Sequence, residues 1–269
     1  MQEFNQIIGY SIVILVGLSI GSFLNVLIYR LPRKESIAFP ASHCPHCLSP
    51  IHYRDNIPIL GYLLLRGRCR TCQTHISLQY PLIELITASF FVALFSLYGV
   101  SVNFVADAVL TCILLVALVT DLQCMHIPDR LTFTSGIIGL AFSPRFGGCL
   151  HGLLISFVGA LIGIAILAIM SCIGKILYKK ESMGWGDFKL IAVTGFFLGP
   201  LWNGIALVLS ITIGGIWGMM QLITGKKEGK DEIPFAPFIA AGCFLVMLFR
   251  KQILILLEHY LSWYYFWLF

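Results

Sequence analysis

Charge is what this sequence has least of. Only 12% of its 269 residues are Asp, Glu, Lys or Arg, against 58% hydrophobic. A soluble globular chain carries about 25% charged residues. The shortage excludes a soluble one- or two-domain protein and implies a polytopic membrane protein set in a lipid bilayer. A positive n-region is also lacking, since Met1-Gln2-Glu3-Phe4-Asn5-Gln6 precedes an apolar run over 7–28. That run is too long for the apolar core of a signal peptide and is read as a retained first transmembrane helix. No separate basic domain is present, because the net charge of +5 is spread between apolar spans. Nucleic acid is therefore excluded as a partner.

What is there is a series of apolar runs. After 7–28 they cover about 82–98, 104–120, 131–142, 150–177, 190–198, 205–223 and 239–249. This predicts an all-α membrane protein with about eight transmembrane helices. Arg30, Arg33 and Lys34 follow the first run, which puts the N-terminus outside and the next loop in the cytoplasm. By parity the lysines at 175, 179 and 180, and those at 226, 227 and 230, are cytoplasmic too. The connection at 99–103 carries no cation, as expected outside. The aromatic-rich tail over 251–269 lies in the interface or crosses partly.

The one substantial polar region, 31–80, holds Cys44-Pro45-His46-Cys47 and Cys69-Arg70-Thr71-Cys72. Two C-x-x-C pairs with 21 residues between them match a four-thiolate zinc site. Each pair offers two sulfurs, and two pairs complete a tetrahedral shell. Such a shell leaves no open position, so the metal is expected to be structural. The competing reading is two independent redox or accidental pairs, and His43 or His46 could stand in for a cysteine. The remaining cysteines, 112, 124, 149, 172 and 243, lie in or beside apolar runs and are expected to be small buried residues. Glu84, placed in the first turn of the second span, reads as a helix cap. The expected organisation is a first span over 1–30, the four-cysteine loop over 31–80, and a multi-helix membrane domain over 81–269.

Two aspartates stand out. Asp187 lies in Met183-Gly184-Trp185-Gly186-Asp187-Phe188-Lys189, at the mouth of an apolar run, where a carboxylate is costly. Its glycines permit a tight turn and close approach of another chain. Asp121 ends the third span, where the helix dipole disfavours negative charge. A salt bridge to a lysine is the alternative reading for it. Asp129, after Pro128, reads as an N-terminal cap of the next helix. Parity puts Asp121 and Asp187 on one membrane face, which suggests an aspartic protease whose two carboxylates share one proton. A proton-relaying transporter would also explain paired carboxylates, but not the cysteine loop. A metal-sensing membrane scaffold would need the cysteines and not the aspartates.

Across nearly its whole length the chain resembles the bacterial type IV prepilin peptidases. The resemblance rests on Gly21-Ser22-Phe23-Leu24-Asn25, the paired C-x-x-C loop, Asp55-Asn56-Ile57-Pro58 and Arg66-Gly67-Arg68-Cys69. It extends through Tyr80-Pro81-Leu82-Ile83-Glu84, Ile127-Pro128-Asp129, Gly184-x-Gly186-Asp187-x-Lys189 and Pro234-Phe235-Ala236-Pro237-Phe238. The G-x-G-D turn alone is shared with presenilin-like intramembrane proteases. The resemblance implies a bifunctional enzyme of the bacterial inner membrane, with its active site at the cytoplasmic face. It would cleave the basic leader of type IV prepilins or secretion pseudopilins and methylate the new N-terminus with S-adenosylmethionine. It implies Asp121 and Asp187 as the catalytic pair, Gly184, Gly186 and Lys189 as motif supports, and a link between the zinc loop and methyl transfer. The family often carries a second acid shortly after the first aspartate, whereas Leu122-Gln123-Cys124 is uncharged here. No glycine-rich fingerprint marks a methyl-donor site. Asn25, Glu3 and Glu84 are its polar candidates.

Overall fold

A computed structural model describes residues 2–178, 183–224 and 234–268. Lys179, Lys180 and the basic loop over 225–232 lie outside the described residues, and so does the side chain of Glu3. The described chain is all helical. Its helices are α1 (Gln2–Arg30), the short α2 (Leu60–Leu64), α3 (Gln79–Tyr98), α4 (Val102–Cys124), α5 (Asp129–Ala141), α6 (Cys149–Tyr178), α7 (Trp185–Ile223) and α8 (Ala236–Leu268). A 3₁₀ turn over Ser143–Phe146 precedes α6. Six of these helices (α1, α3, α4, α6, α7 and α8) are long and apolar enough to cross a membrane.

The eight apolar runs all fall on helices, and two local features explain the difference in count. α5 has 13 residues, fewer than the ~20 of a typical span, and is absent from the six on length alone, while its apolar run remains the fourth in the parity that gives Asp121 and Asp187 one face. α7 is two arms joined at a sharp turn. At Gly199 the backbone takes φ 74° and ψ 179°, a conformation essentially open only to glycine, and Pro200 follows. Asn203 then lies against the arm it came from. Its Oδ1 accepts from Thr194 Oγ1 at 2.7 Å, and its Nδ2 donates to Ile191 O at 3.4 Å. In a straight helix Ile191 would be about 18 Å away along the axis, so the chain has turned back.

The helices group into two compact units, Met1–Ile138 and Gly139–Phe269. In the first, α1 packs on α3 and α4. The α1–α3 contact is built on small residues in four-residue steps. A Cβ at Gly17 would lie 2.7 Å from Ala88 Cα, and one at Gly21 would lie 2.7 Å from Glu84 Cα. One turn further, Asn25 Nδ2 donates to Tyr80 O at 3.1 Å. Close backbone approach through small residues is how apolar helices associate when lipid already satisfies their side chains. α4 starts at Ser101, whose Oγ accepts from the Phe104 N–H at 3.2 Å, a side-chain N-cap. It ends at Met125 in the left-handed region, φ 48°.

In the second unit α7 packs on α6 and α8. Gly159 of α6 faces Gly195 of α7, and Asn203 Nδ2 donates to Gly159 O at 3.0 Å. A Cβ at Gly195 would stand 2.4 Å from Ala160 N, and backbone atoms cannot rotate aside as a side chain can. Gly195→Ala is therefore expected to destabilise this unit by about 1–3 kcal/mol. The check is the apparent melting temperature of the protein in detergent, which should fall, while Gly218→Ala, with nothing within 4 Å of its Cβ, should not move it.

The cysteines outside the loop depart from expectation. Cys243 is buried and Cys112 half-buried, but Cys124, Cys149 and Cys172 are exposed. An apolar run predicts burial, whereas these three sit on helix surfaces that no described part of the protein covers.

Candidate functional site

The four-cysteine loop forms by repeating one backbone device. Cys44 N–H donates to Ser49 O at 3.0 Å, and Leu48 N–H donates to Cys44 O at 2.9 Å. Twenty-five positions on, Cys69 N–H donates to Thr74 O at 2.9 Å, and Gln73 N–H donates to Cys69 O at 3.0 Å. Leu48 and Gln73 take matching left-handed φ of 57° and 58°. Isolated bridges His43–Pro50 and Arg68–His75 close the two turns. The sulfurs of Cys44, Cys47, Cys69 and Cys72 all lie within 4.8 Å of one another, a donor set of the size and chemistry of a tetrahedral thiolate site. The four cysteines together could hold zinc, and no histidine is needed. Desolvation pushes the Cys44 thiol up to about 11. The Thr74 hydroxyl, which lies 3.1 Å from Cys72 Sγ, brings that thiol down to about 6.

Three contacts hold this loop, two of them to α1 and α3 and one within the loop itself. Arg30, at the end of α1 and buried, donates to Ser36 O at 2.9 Å and to Pro40 O at 2.7 Å. Arg70, inside the second knuckle, grips Asp55 with both prongs, at 2.7 and 2.6 Å. That guanidinium holds the Asp55 carboxyl below its ordinary range. The third contact corrects the reading of Glu84. It is not in the first turn of α3 and does not cap that helix. It is 6% exposed, and its Oε2 accepts from the Ile59 N–H at 2.7 Å. Ile59 has φ 61°, an unfavourable conformation for a β-branched residue, held here by a buried carboxylate.

These contacts enclose a cavity of about 510 Å³ between α1, α3 and the loop. Asn25 and Glu84 line it from the two helices, with Tyr29, Tyr62 and Tyr80 around them. Asn25 is 3% exposed, and its Oδ1 has no hydrogen-bond partner among the described residues. Asn25 was legible as a polar residue inside an apolar span. The fact that it shares a cavity with Glu84 was not.

The aspartates sit at helix ends, as the sequence predicts. Asp121 lies in the last turn of α4 and is 6% exposed, and its carbonyl accepts from the Met125 N–H at 2.8 Å. Asp187 lies in the first turn of α7 and is 8% exposed. Its Oδ2 accepts from the Gly184 N–H at 3.3 Å, the back-bond of a capping box, with Gly184 at the N-cap position. The helix dipole favours its negative charge there. Gly184 and Lys189 are exposed and Gly186 is half-buried. Asp121 belongs to the first unit and Asp187 to the second. Asp129 opens α5, as expected of a residue at that helix's start.

The class defined by fold and site is a multi-pass helical membrane protein with a four-cysteine knuckle and buried aspartates at helix ends. The model of the bacterial peptidase A24 N-terminal domain matches residues 15–98, and that of the type IV leader peptidase family matches residues 108–219. A prepilin leader peptidase/N-methyltransferase of Aeromonas hydrophila is 36% identical over 268 residues, covering 91% of this chain and 92% of that protein. A protein of the same name from Bacillus subtilis strain 168 is 35% identical, over 91% of this chain and 96% of its own. A type 4 prepilin-like proteins leader peptide-processing enzyme of Escherichia coli O78:H11 is 36% identical, over 84% and 88%. No solved structure matches. The chain belongs to the type IV leader peptidase family.

Proposed function

We propose that this chain is a membrane aspartic endopeptidase. It cleaves the basic leader of type IV prepilins or secretion pseudopilins at the cytoplasmic face and methylates the amine it exposes. The observation that carries the reading is the pair of aspartates. Both are buried, both lie at helix ends, and both fall inside the stretch that matches the leader peptidase family. Nothing favours the transporter alternative.

This mechanism requires Asp121 and Asp187 to act as a dyad sharing one proton, because two carboxylates working at one site resist ionising together. The ionised member takes a proton from water as its oxygen attacks the scissile carbonyl. The protonated member donates to the carbonyl oxygen, and the proton taken from water passes to the leaving amine as the C–N bond breaks. Gly184, exposed and without a side chain, lets a substrate strand lie close to the Asp187 carboxylate. A prepilin would arrive with its leader in the cytoplasm and its apolar helix in the bilayer, which sets the bond to be cut at the interface.

Zinc held by Cys44, Cys47, Cys69 and Cys72 would act as a cross-link, since a closed thiolate shell leaves no position for substrate. S-adenosylmethionine, when bound, would supply an electrophilic methyl to that amine and leave as the neutral thioether. The acceptor amine gives its proton to solvent. The reading is tested by co-expressing the chain with a prepilin and following its size on a gel. A shift to the mature size is expected. A substrate that stays at full length in the presence of folded enzyme refutes it.

A further inference from the structure

We infer that the cavity between α1, α3 and the cysteine loop binds the methyl donor, with Glu84 facing its cationic sulfonium end and Asn25 Oδ1 accepting a hydrogen bond from it. The inference rests on the bifunctional reading above, and four observations carry it.

The first is an uncompensated carboxylate. Buried charges in proteins are paired or coordinate a metal. Glu84 is 6% exposed and has the Ile59 N–H and the Ser22 hydroxyl as hydrogen-bond partners, but among the described residues no cation pairs with it. The other carboxylate of the cavity, Asp55, is already gripped by Arg70. A cation entering the cavity would therefore be drawn to Glu84.

The second is the open acceptor. Asn25 spends both amide hydrogens, on Gly21 O at 3.3 Å and Tyr80 O at 3.1 Å. That fixes which atom faces away from the helix contact. The remaining Oδ1 is buried without a donor, a deficit that buried polar groups rarely sustain. A ligand with an N–H or O–H next to its cationic centre satisfies it.

The third is size and lining. A cavity of about 510 Å³ lies in the range of sites for small organic ligands, and Tyr29, Tyr62 and Tyr80 give aromatic faces for a heterocycle. Aromatic faces also attract a sulfonium or ammonium.

The fourth is division of labour along the chain. Every residue that lines the cavity falls within 15–98, the stretch matched by the N-terminal domain model. Asp121 and Asp187 fall within 108–219. Relatives over 91% of the chain are named for two activities. The cavity is the built small-molecule site of the part that the peptidase chemistry does not use.

The test is calorimetric titration of the full-length, detergent-purified protein with S-adenosylmethionine and with S-adenosylhomocysteine, which lacks the sulfonium charge. Glu84→Gln is expected to weaken S-adenosylmethionine at least tenfold and S-adenosylhomocysteine less than threefold. Only a charge contact predicts that difference. Val26→Trp, which fills the cavity from α1, is expected to abolish binding of both. Metal content and leader cleavage should stay at wild-type levels in both variants.

Unchanged affinity for S-adenosylmethionine in both variants would overturn the inference. A wild-type protein that cleaves leaders but binds neither compound would also overturn it, as would a cavity that takes up a mature pilin N-terminal peptide instead. A protein that neither cleaves nor methylates a prepilin would overturn the reading beneath it and the inference too.

Discussion

Asp187→Asn should reduce leader cleavage by about 10²–10⁴-fold, the range for removal of a positioned acid or base. Asp121→Asn should do the same. The substitution is chosen for what it keeps. An asparagine oxygen can still accept from the Gly184 N–H, as Asp187 Oδ2 does at 3.3 Å, so the N-terminal turn of α7 retains its cap. Loss of that cap would cost about 1 kcal/mol and would leave the protein folded. A purely structural Asp187 therefore predicts near-normal cleavage by the Asn variant, and a catalytic one predicts almost none. Initial rates on a purified prepilin, beside a melting curve for each variant, separate the two. Normal rates in either folded variant would remove that aspartate from the mechanism.

Cys44→Ser combined with Cys69→Ser should take bound zinc from one per chain to none and unfold the loop over 31–80. Structural zinc contributes an apparent ~10–16 kcal/mol in small metal-folded segments, comparable to the whole stability of a typical domain, about 5–15 kcal/mol. The loop has little else to hold it. Its described ties include the Arg30 contacts, the Asp55–Arg70 pair, the Ser49–Thr71 hydroxyl contact between the knuckles and the Glu84–Ile59 bond. Its exposed apolar side chains include Phe39, Leu48, Tyr53 and Leu64. Since the loop forms one wall of the cavity, methylation should fall more steeply than cleavage. Elemental analysis and limited proteolysis within 31–80 check this. Full zinc content with a protease-resistant loop would contradict it.

The legible parts were those with a strong local signal. Apolar runs set the helices, paired C-x-x-C spacing set the sulfur cluster, and a carboxylate beside glycines marked the head of α7. Three features were hidden because they depend on contacts between distant segments. The break at Gly199-Pro200 was legible between the runs 190–198 and 205–223, but the Asn203 contacts to Ile191 and Thr194 that close the turn were not. Glu84 looked like a cap because its distance from Pro81 suggested a first turn. α3 begins at Gln79, and one further turn carries the carboxylate into the interior. The cavity needed Gly17 and Gly21 to bring α1 against α3, which a sequence shows only as small residues in an apolar run.

The most direct test of the account is mass spectrometry of the N-terminus of a prepilin co-expressed with this chain, with Asp187→Asn and with Glu84→Gln. The account predicts a cleaved, methylated N-terminus for the wild type, an intact leader for Asp187→Asn, and a cleaved but under-methylated N-terminus for Glu84→Gln. A cleaved N-terminus in the presence of folded Asp187→Asn would contradict it.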